Sequence, residues 1–114
     1  MSSFVITKRY NDEYKFEFTS RKGKTIFTSN SFDLKFECEE AIDYLKDNLE
    51  TAVFLKSKSS GGKYFFRIVL DKKQWAISRK YSTLPMLEKG INEIVKYGIK
   101  SEILDFSNND FVFE

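Results

Sequence analysis

The feature that most constrains this chain is an internal repeat at a spacing of 49 to 50 residues. Tyr14–Phe18 matches Tyr64–Ile68, and Glu39–Leu45 matches Glu88–Ile94. Self-similarity at this spacing predicts that one supersecondary unit occurs twice. With 114 residues the chain suits one hydrophobic core better than two. The sequence therefore predicts a single domain, 1–114, made of two repeats.

The repeats occupy about residues 3–51 and 52–107, and a short tail covers 108–114. Net charge repeats as well, because four successive blocks of the chain carry +3, −5, +7 and −3. No spacer rich in Pro, Gly or Ser separates the repeats. The extended segment after the first helix also begins the second repeat, so the two are predicted to interlock.

Each repeat reads as three strands, a helix and a strand. Apolar residues alternate with period two in the second strand, which predicts a half-buried strand. The next segment changes to a helical period. The two predicted helical stripes are Cys38, Ala41, Ile42, Leu45, Leu49 and Leu87, Gly90, Ile91, Ile94, Val95. Asp33 and Thr83 are the predicted helix N-caps, and Gly98 the predicted end of the second helix.

Gly90 interrupts a helix, where glycine costs about 1 kcal/mol relative to alanine. We interpret it as a point of close approach between helix and sheet, since the matching residue is Ala41. Cys38 lies in an apolar stripe with acidic neighbours, which raise rather than lower a thiol pKa. A buried core position is therefore predicted for it.

Several functional classes find no support in the sequence. The chain has no histidine, and it has no nucleophile motif or phosphate-binding loop. No metal site, cofactor or catalytic residue is predicted. A single cysteine and the absence of a long apolar run favour the cytoplasm and argue against membrane insertion.

The residues also resemble a known family. Phe4–Lys8, Lys63–Ile68, Gly90–Lys96 and Glu102–Ser107 are similar to segments of the YegP-like family of small bacterial proteins of unknown function. The resemblance implies an α+β fold with one antiparallel-rich sheet and two helices. It also implies that the C-terminal strands are exchanged between the β-β-β-α-β repeats. No catalytic residue is established for the family.

Three functional hypotheses stay open. The first is a non-catalytic binding or interaction module with a protein partner, either a monomeric pseudo-dimer or a homodimer. The second is a binder of single-stranded nucleic acid or another polyanion through a basic, aromatic sheet face. Its candidate residues are Lys63, Arg67, Trp75 and Arg79. The third is an enzyme without a recognisable motif. Three alternatives stay open for the apolar end of the tail, Phe111–Phe113: docking back on the sheet edge, adding to the sheet edge of a partner, or fraying.

Overall fold

A computed structural model describes residues 2–108. It has the predicted α+β class, with one seven-stranded sheet and two long helices. The strands are β1 (Ser3–Lys8), β2 (Tyr14–Thr19), β3 (Thr25–Ser29), β4 (Val53–Lys58), β5 (Tyr64–Leu70), β6 (Lys73–Ser78) and β7 (Glu102–Asp105). The helices are α1 (Lys35–Asp47) and α2 (Leu84–Tyr97), and a short 3-10 turn, Gly98–Lys100, follows α2. The C-terminal tail, for which three alternatives were open, lies from residue 109 onward outside the described residues.

The strand order is β4-β5-β6-β3-β2-β1-β7. Every neighbouring pair is antiparallel except β1 and β7, which are parallel. The sheet is therefore mixed but mainly antiparallel. β7 follows α2 in the chain, yet it lies against β1 at the far end of the sheet. β4 and β7 are the two edges within residues 2–108.

The junction between the halves is symmetric in register. Thr28 of β3 pairs with Ile77 of β6, and these residues are themselves 49 positions apart. On either side of this pair, Phe27 pairs with Ser78 and Ser29 pairs with Ala76. Because Phe27 corresponds to Ala76 and Ser29 to Ser78, the two flanking pairs are equivalent. An antiparallel pair with this register places matching residues about a local twofold axis.

One hydrophobic core serves both halves. Phe16 and Phe66 are both fully buried, and both amides donate to a serine hydroxyl at 2.9 Å, that of Ser29 and Ser78 respectively. Aromatic rings fill much of the first half, with edge-to-face and stacked contacts among neighbouring phenylalanines. Each such side chain contributes about 1.5–3 kcal/mol by leaving water. Burial of these rings is thus the main force that holds the helices on the sheet.

The helical stripes are largely as predicted. All five residues of the first stripe are buried, as are Leu87, Gly90 and Ile94 of the second. Ile91 is half-buried, however, and the prediction is wrong for Val95, which is 46% exposed. Val95 lies at the margin of the stripe, because it is one residue, or about 100°, beyond the buried Ile94. No helix among residues 2–108 is long and apolar enough to cross a membrane.

Helix ends follow local hydrogen bonding. Thr83 caps α2 as predicted, because its side chain accepts from the Met86 amide at 3.3 Å. The prediction of Asp33 as the cap of α1 is wrong. The N-cap is Leu34, whose amide donates to the Glu37 carboxylate at 3.1 Å. The Glu37 carboxylate, in the first turn of the helix, thus accepts a hydrogen bond from the N-cap amide, although the N-cap residue has no polar side chain.

Gly90 packs against the ring of Tyr81, a residue that continues the sheet by a bridge to Tyr64. A methyl group at Gly90 would overlap the Tyr81 hydroxyl and lie 3.1 Å from its Cζ. In the first half the matching residues are Ala41 and Phe32, which has no hydroxyl. The predicted close approach is confirmed, and the tyrosine hydroxyl takes the space that Ala41 fills with a methyl.

The β5–β6 hairpin has a two-residue turn, since Leu70 pairs with Lys73. Asp71 and Lys72 both adopt positive φ values, 53° and 65°. This is the conformation of a type I′ turn, which normally selects Asn or Asp followed by Gly. The Tyr44 hydroxyl donates to the Asp71 carboxylate at 2.5 Å and ties the turn to α1.

Candidate functional site

The two faces of the sheet are unlike. The helices cover one face, and the other face has no covering element in the part of the chain that the structure describes. Side chains on alternate positions of each strand therefore form rows across the uncovered face. The central row takes one residue from each strand: Leu55, Arg67, Ile77, Thr28, Glu17, Val5 and Leu104.

The uncovered face is apolar in the second half and polar in the first. Leu55, Arg67 and Ile77 occupy the positions that Val5, Glu17 and Thr28 occupy in the first half. In the first half the corresponding strand carries charged side chains, and Lys15 and Glu17 form an ion pair of 3.5 Å. The candidate site is consequently confined to strands β4, β5 and β6.

We call this surface the open patch and define it by six residues. They are Val53, Leu55, Phe65, Arg67, Val69 and Ile77. Three of the aliphatic side chains, Val53, Leu55 and Ile77, are 50%, 49% and 41% exposed. Scattered exposed apolar residues are normal on protein surfaces, but contiguous ones often mark interaction sites.

Arg67 lies at the centre of the open patch. Its guanidinium carbon is 5.0 Å from the centroid of the Phe65 ring, and its Nη1 is 3.4 Å from the Ser57 hydroxyl oxygen. Arg67 forms no ion pair with any of residues 2–108. The cation–π contact holds the guanidinium beside the Phe65 ring and leaves its remaining N–H donors free to bind an anionic group.

The structure does not bring the four predicted site residues together. Lys63 is exposed in the β4–β5 turn, and Arg67 belongs to the open patch. Trp75 instead lies on the helix side, where its ring stacks on Tyr44 of α1 at 5.3 Å. Arg79 is also on that side, with its guanidinium over the Tyr81 ring beside α2. The expectation of one basic, aromatic face is therefore wrong for Trp75 and Arg79.

A β-bulge explains the position of Trp75. The register between β5 and β6 shifts at Ile68 and Val69, so Trp75 and the buried Ala76 both turn toward the helices. The indole N–H then donates to the Leu70 carbonyl at 3.1 Å. The first half has the same bulge, which directs Ile26 and Phe27 inward together.

Sequence reasoning singled out Arg67 but missed Val53, Leu55 and Ile77 as surface residues. The available signal was the phase of the alternation. Phe54 and Phe66 are inward residues, so their odd-numbered neighbours along each strand must point to the opposite face.

Three titratable side chains, Lys35, Cys38 and Tyr81, have pKa values raised away from neutral pH. Burial, with a smaller contribution from Glu39 and Asp105, raises the pKa of the Cys38 thiol to about 12. A hydrogen bond to Asp105 raises the pKa of Lys35, and burial raises the pKa of Tyr81. Every one of these shifts moves the group away from the neutral range that acid–base catalysis needs. Residues 2–108 also contain no group of three Cys, Asp or Glu side chains arranged to hold a metal ion.

Comparisons with known proteins agree with the fold. No protein-family model matches the chain. The UPF0339 protein YegP of Escherichia coli K12 is 25% identical over 104 residues, which span 90% of this chain and 94% of YegP. The chain is therefore similar in sequence to YegP over 90% of its length. The YegP protein of Yersinia pestis is 24% identical over 109 residues, 94% of this chain and 97% of that protein.

Solved structures of two proteins have the same fold as this chain. The solution structure of E. coli YegP, described as a protein of unknown function, superposes with a TM-score of 0.84 at 23% identity and covers 94% of both chains. A UPF0339 protein from Shewanella oneidensis superposes with a TM-score of 0.86 at 22% identity, over 99% of this chain and 98% of that one. These likenesses show that this chain shares the fold of both proteins.

Proposed function

We propose that this chain is a non-catalytic interaction module that binds a protein partner through the open patch. The observation that carries the proposal is the exposure of Val53, Leu55 and Ile77, between 41% and 50%, on one continuous face beside Arg67. A surface of this kind gains free energy by leaving water, at about 25 cal/mol per Å² of apolar area.

The chemistry of the partner follows from Arg67. Arginine and aromatic residues are frequent at the energetic centre of protein interfaces. The Arg67 guanidinium is held by Phe65 and lacks a carboxylate partner among the described residues. The partner is therefore expected to present an apolar surface with an Asp or Glu side chain that pairs with Arg67 in two parallel hydrogen bonds.

A polyanion is the second candidate ligand, and one observation supports it. On the uncovered face, Phe65 provides an aromatic ring and Arg67 provides a cation beside it, and Lys63 lies in the neighbouring turn. Single-stranded nucleic acid binds to surfaces that combine these two features. The open patch has one arginine rather than a basic groove, so a protein ligand suits it better.

Site-specific photo-crosslinking in the source cell tests the proposal. A photoreactive phenylalanine is placed at Leu55 or Ile77, and matched controls carry it at Val5 or Thr28, which occupy the same row in the first half. We expect protease-sensitive crosslinked products from positions 55 and 77 only, and their loss on Arg67→Glu. Equal products from all four positions, or nuclease-sensitive products, would contradict a protein-binding role of the open patch.

The architecture itself points to an origin by duplication. We propose that two β-β-β-α-β units were fused in tandem and that the last strand of the second unit is exchanged onto the first. The symmetric register about Thr28 and Ile77 supports this, as does the pairing of β7 with β1. Divergence after fusion then left an apolar patch on one half and a polar surface on the other.

A further inference from the structure

The two halves present corresponding grooves at opposite edges of the sheet, and only one groove is filled. Phe4 and Ile6 of β1 pair with Phe18 and Phe16, just as Phe54 and Lys56 of β4 pair with Ile68 and Phe66. β1 has β7 as a parallel neighbour on its outer side. β4 has no neighbour on its outer side within residues 2–108.

Burial differs at the corresponding positions. Phe4, which pairs in register with Ile103 of β7, is fully buried, and so is Ile42 of α1. Their counterparts, Phe54 of β4 and Ile91 of α2, are only half-buried. The side chains that an added strand would cover are thus already apolar and already in place. We call the surface between the outer edge of β4 and α2 the β4 groove, where Lys56 and Glu88 are in contact at 2.8 Å. Leu84 and Ile91 belong to it because they occupy on α2 the positions of Lys35 and Ile42 on α1.

In the filled groove, a carboxylate of β7 forms an ion pair with a lysine of α1. Asp105 is paired in register with Ile6, and its carboxylate is 3.0 Å from the Nζ of Lys35, the first residue of α1. The Ile6 carbonyl accepts a hydrogen bond from the Phe106 amide at 2.9 Å. The register of β7 therefore depends on backbone bonds and on one acid–lysine pair.

The β4 groove is also formed by a strand and a helix, β4 and α2, but its lysine is on the strand. Leu84 begins α2 where Lys35 begins α1, and Lys56 stands where Ile6 stands in the first half. A strand bound to β4 in the register of β7 would therefore place the counterpart of Asp105 beside Lys56. Lys56 is 44% exposed and bonds to Glu88 at 2.8 Å, which leaves two of its three donors for a second carboxylate.

We propose that the β4 groove binds an extended segment of another protein, parallel to β4, with the chemistry of β7. The segment has an apolar residue beside Phe54 and, two residues later, an Asp or Glu beside Lys56. Strand addition of this kind takes affinity from backbone hydrogen bonds and selectivity from alternate side chains. The site is distinct from the open patch, because it lies at the edge and on the helix side of β4.

A synthetic peptide with the sequence of residues 101–107 serves as the probe. It is labelled with a fluorophore and titrated into the full chain, with binding read by fluorescence anisotropy at about 50 mM salt. The chain's own β7 stays on β1 because its tether gives it an effective concentration in the millimolar range. We expect saturable binding that weakens about tenfold when the aspartate of the peptide is replaced by lysine.

Variants of the protein distinguish the groove from general charge effects. Lys56→Glu is expected to weaken the native peptide about tenfold and to improve binding of the lysine peptide. Lys8→Glu is the matched control, with a side chain 39% exposed at the end of covered strand β1, and it should change neither affinity. Leu84→Lys restores the helix lysine found in α1 and should strengthen binding of the native peptide severalfold.

Amide chemical shifts identify the strand that the peptide contacts. Changes confined to β4 and the facing side of α2 support the proposal. It would be overturned by changes centred on β1, by association of two chains through β4 without peptide, or by no binding up to about 1 mM peptide. Thermal melts of the three variants confirm that each one is folded before its affinity is compared.

Discussion

Replacement of Gly90 by alanine separates local helix preference from the packing of Tyr81. Alanine in a helix interior favours the folded state by about 1 kcal/mol relative to glycine. Against this, the new methyl would overlap the Tyr81 hydroxyl and sit 3.1 Å from its Cζ. Overpacking of this kind costs about 1–3 kcal/mol. Gly90→Ala is therefore expected to destabilise the chain by roughly 1 kcal/mol, the difference between the two effects.

The informative variant combines Tyr81→Phe with Gly90→Ala, which recreates Phe32 and Ala41 of the first half. Once the hydroxyl is gone, alanine should stabilise by up to about 1 kcal/mol. Urea unfolding of the four proteins in the cycle measures the coupling free energy, expected at about 1–3 kcal/mol. Ala41→Gly is the control and should destabilise by about 1 kcal/mol, because no hydroxyl at Phe32 opposes the alanine methyl. A coupling below about 0.5 kcal/mol would refute the steric explanation of Gly90.

Three further outcomes follow from the structure. Lys72→Gly should stabilise by about 1 kcal/mol in urea unfolding, since Lys72 has a φ of 65°, and an unchanged midpoint would contradict the turn geometry. Cys38, buried with a pKa of about 12, should not react with Ellman's reagent at pH 8 until the chain unfolds; prompt reaction in native buffer would show it is accessible. Partial burial raises the pKa of Asp105, but hydrogen bonds from Ser107 and Lys35 lower it by more, so the pKa in the folded chain is below the unfolded value of about 4. The stabilisation that the Asp105 carboxylate provides should therefore be complete above the unfolded pKa and be lost as the pH falls through the folded pKa. The stability difference between wild type and Asp105→Asn should accordingly shrink from pH 6 to pH 3, and a constant difference would argue against this ion pair.

The sequence was sufficient for most of the architecture because its periodicities are strong. Period two predicted β2 and β5, and the helical stripes predicted α1 and α2. The ends of the helices were harder to predict. Leu34 caps α1 only because Glu37 folds back to its amide, and nothing in a propensity argument favours leucine over the adjacent Asp33.

The candidate site was predicted less well than the fold, for a physical reason. A single-residue bulge reverses the face on which a side chain lies, and the bulge in β6 moved Trp75 to the helix side. Arg67 was found because strand β5 alternates regularly. The β4 groove could not be seen from local pattern at all, because it depends on which strand lies at the edge of the sheet.

Both proposed surfaces require that β3 and β6 join the halves into one sheet over one core. Native-state hydrogen exchange across β3 and β6 measures this directly. We expect the amides of the buried strands in both halves to exchange with one shared opening free energy, equal to that of global unfolding. Two groups of amides, one per half, with clearly different opening free energies would show separate cores and contradict a shared one.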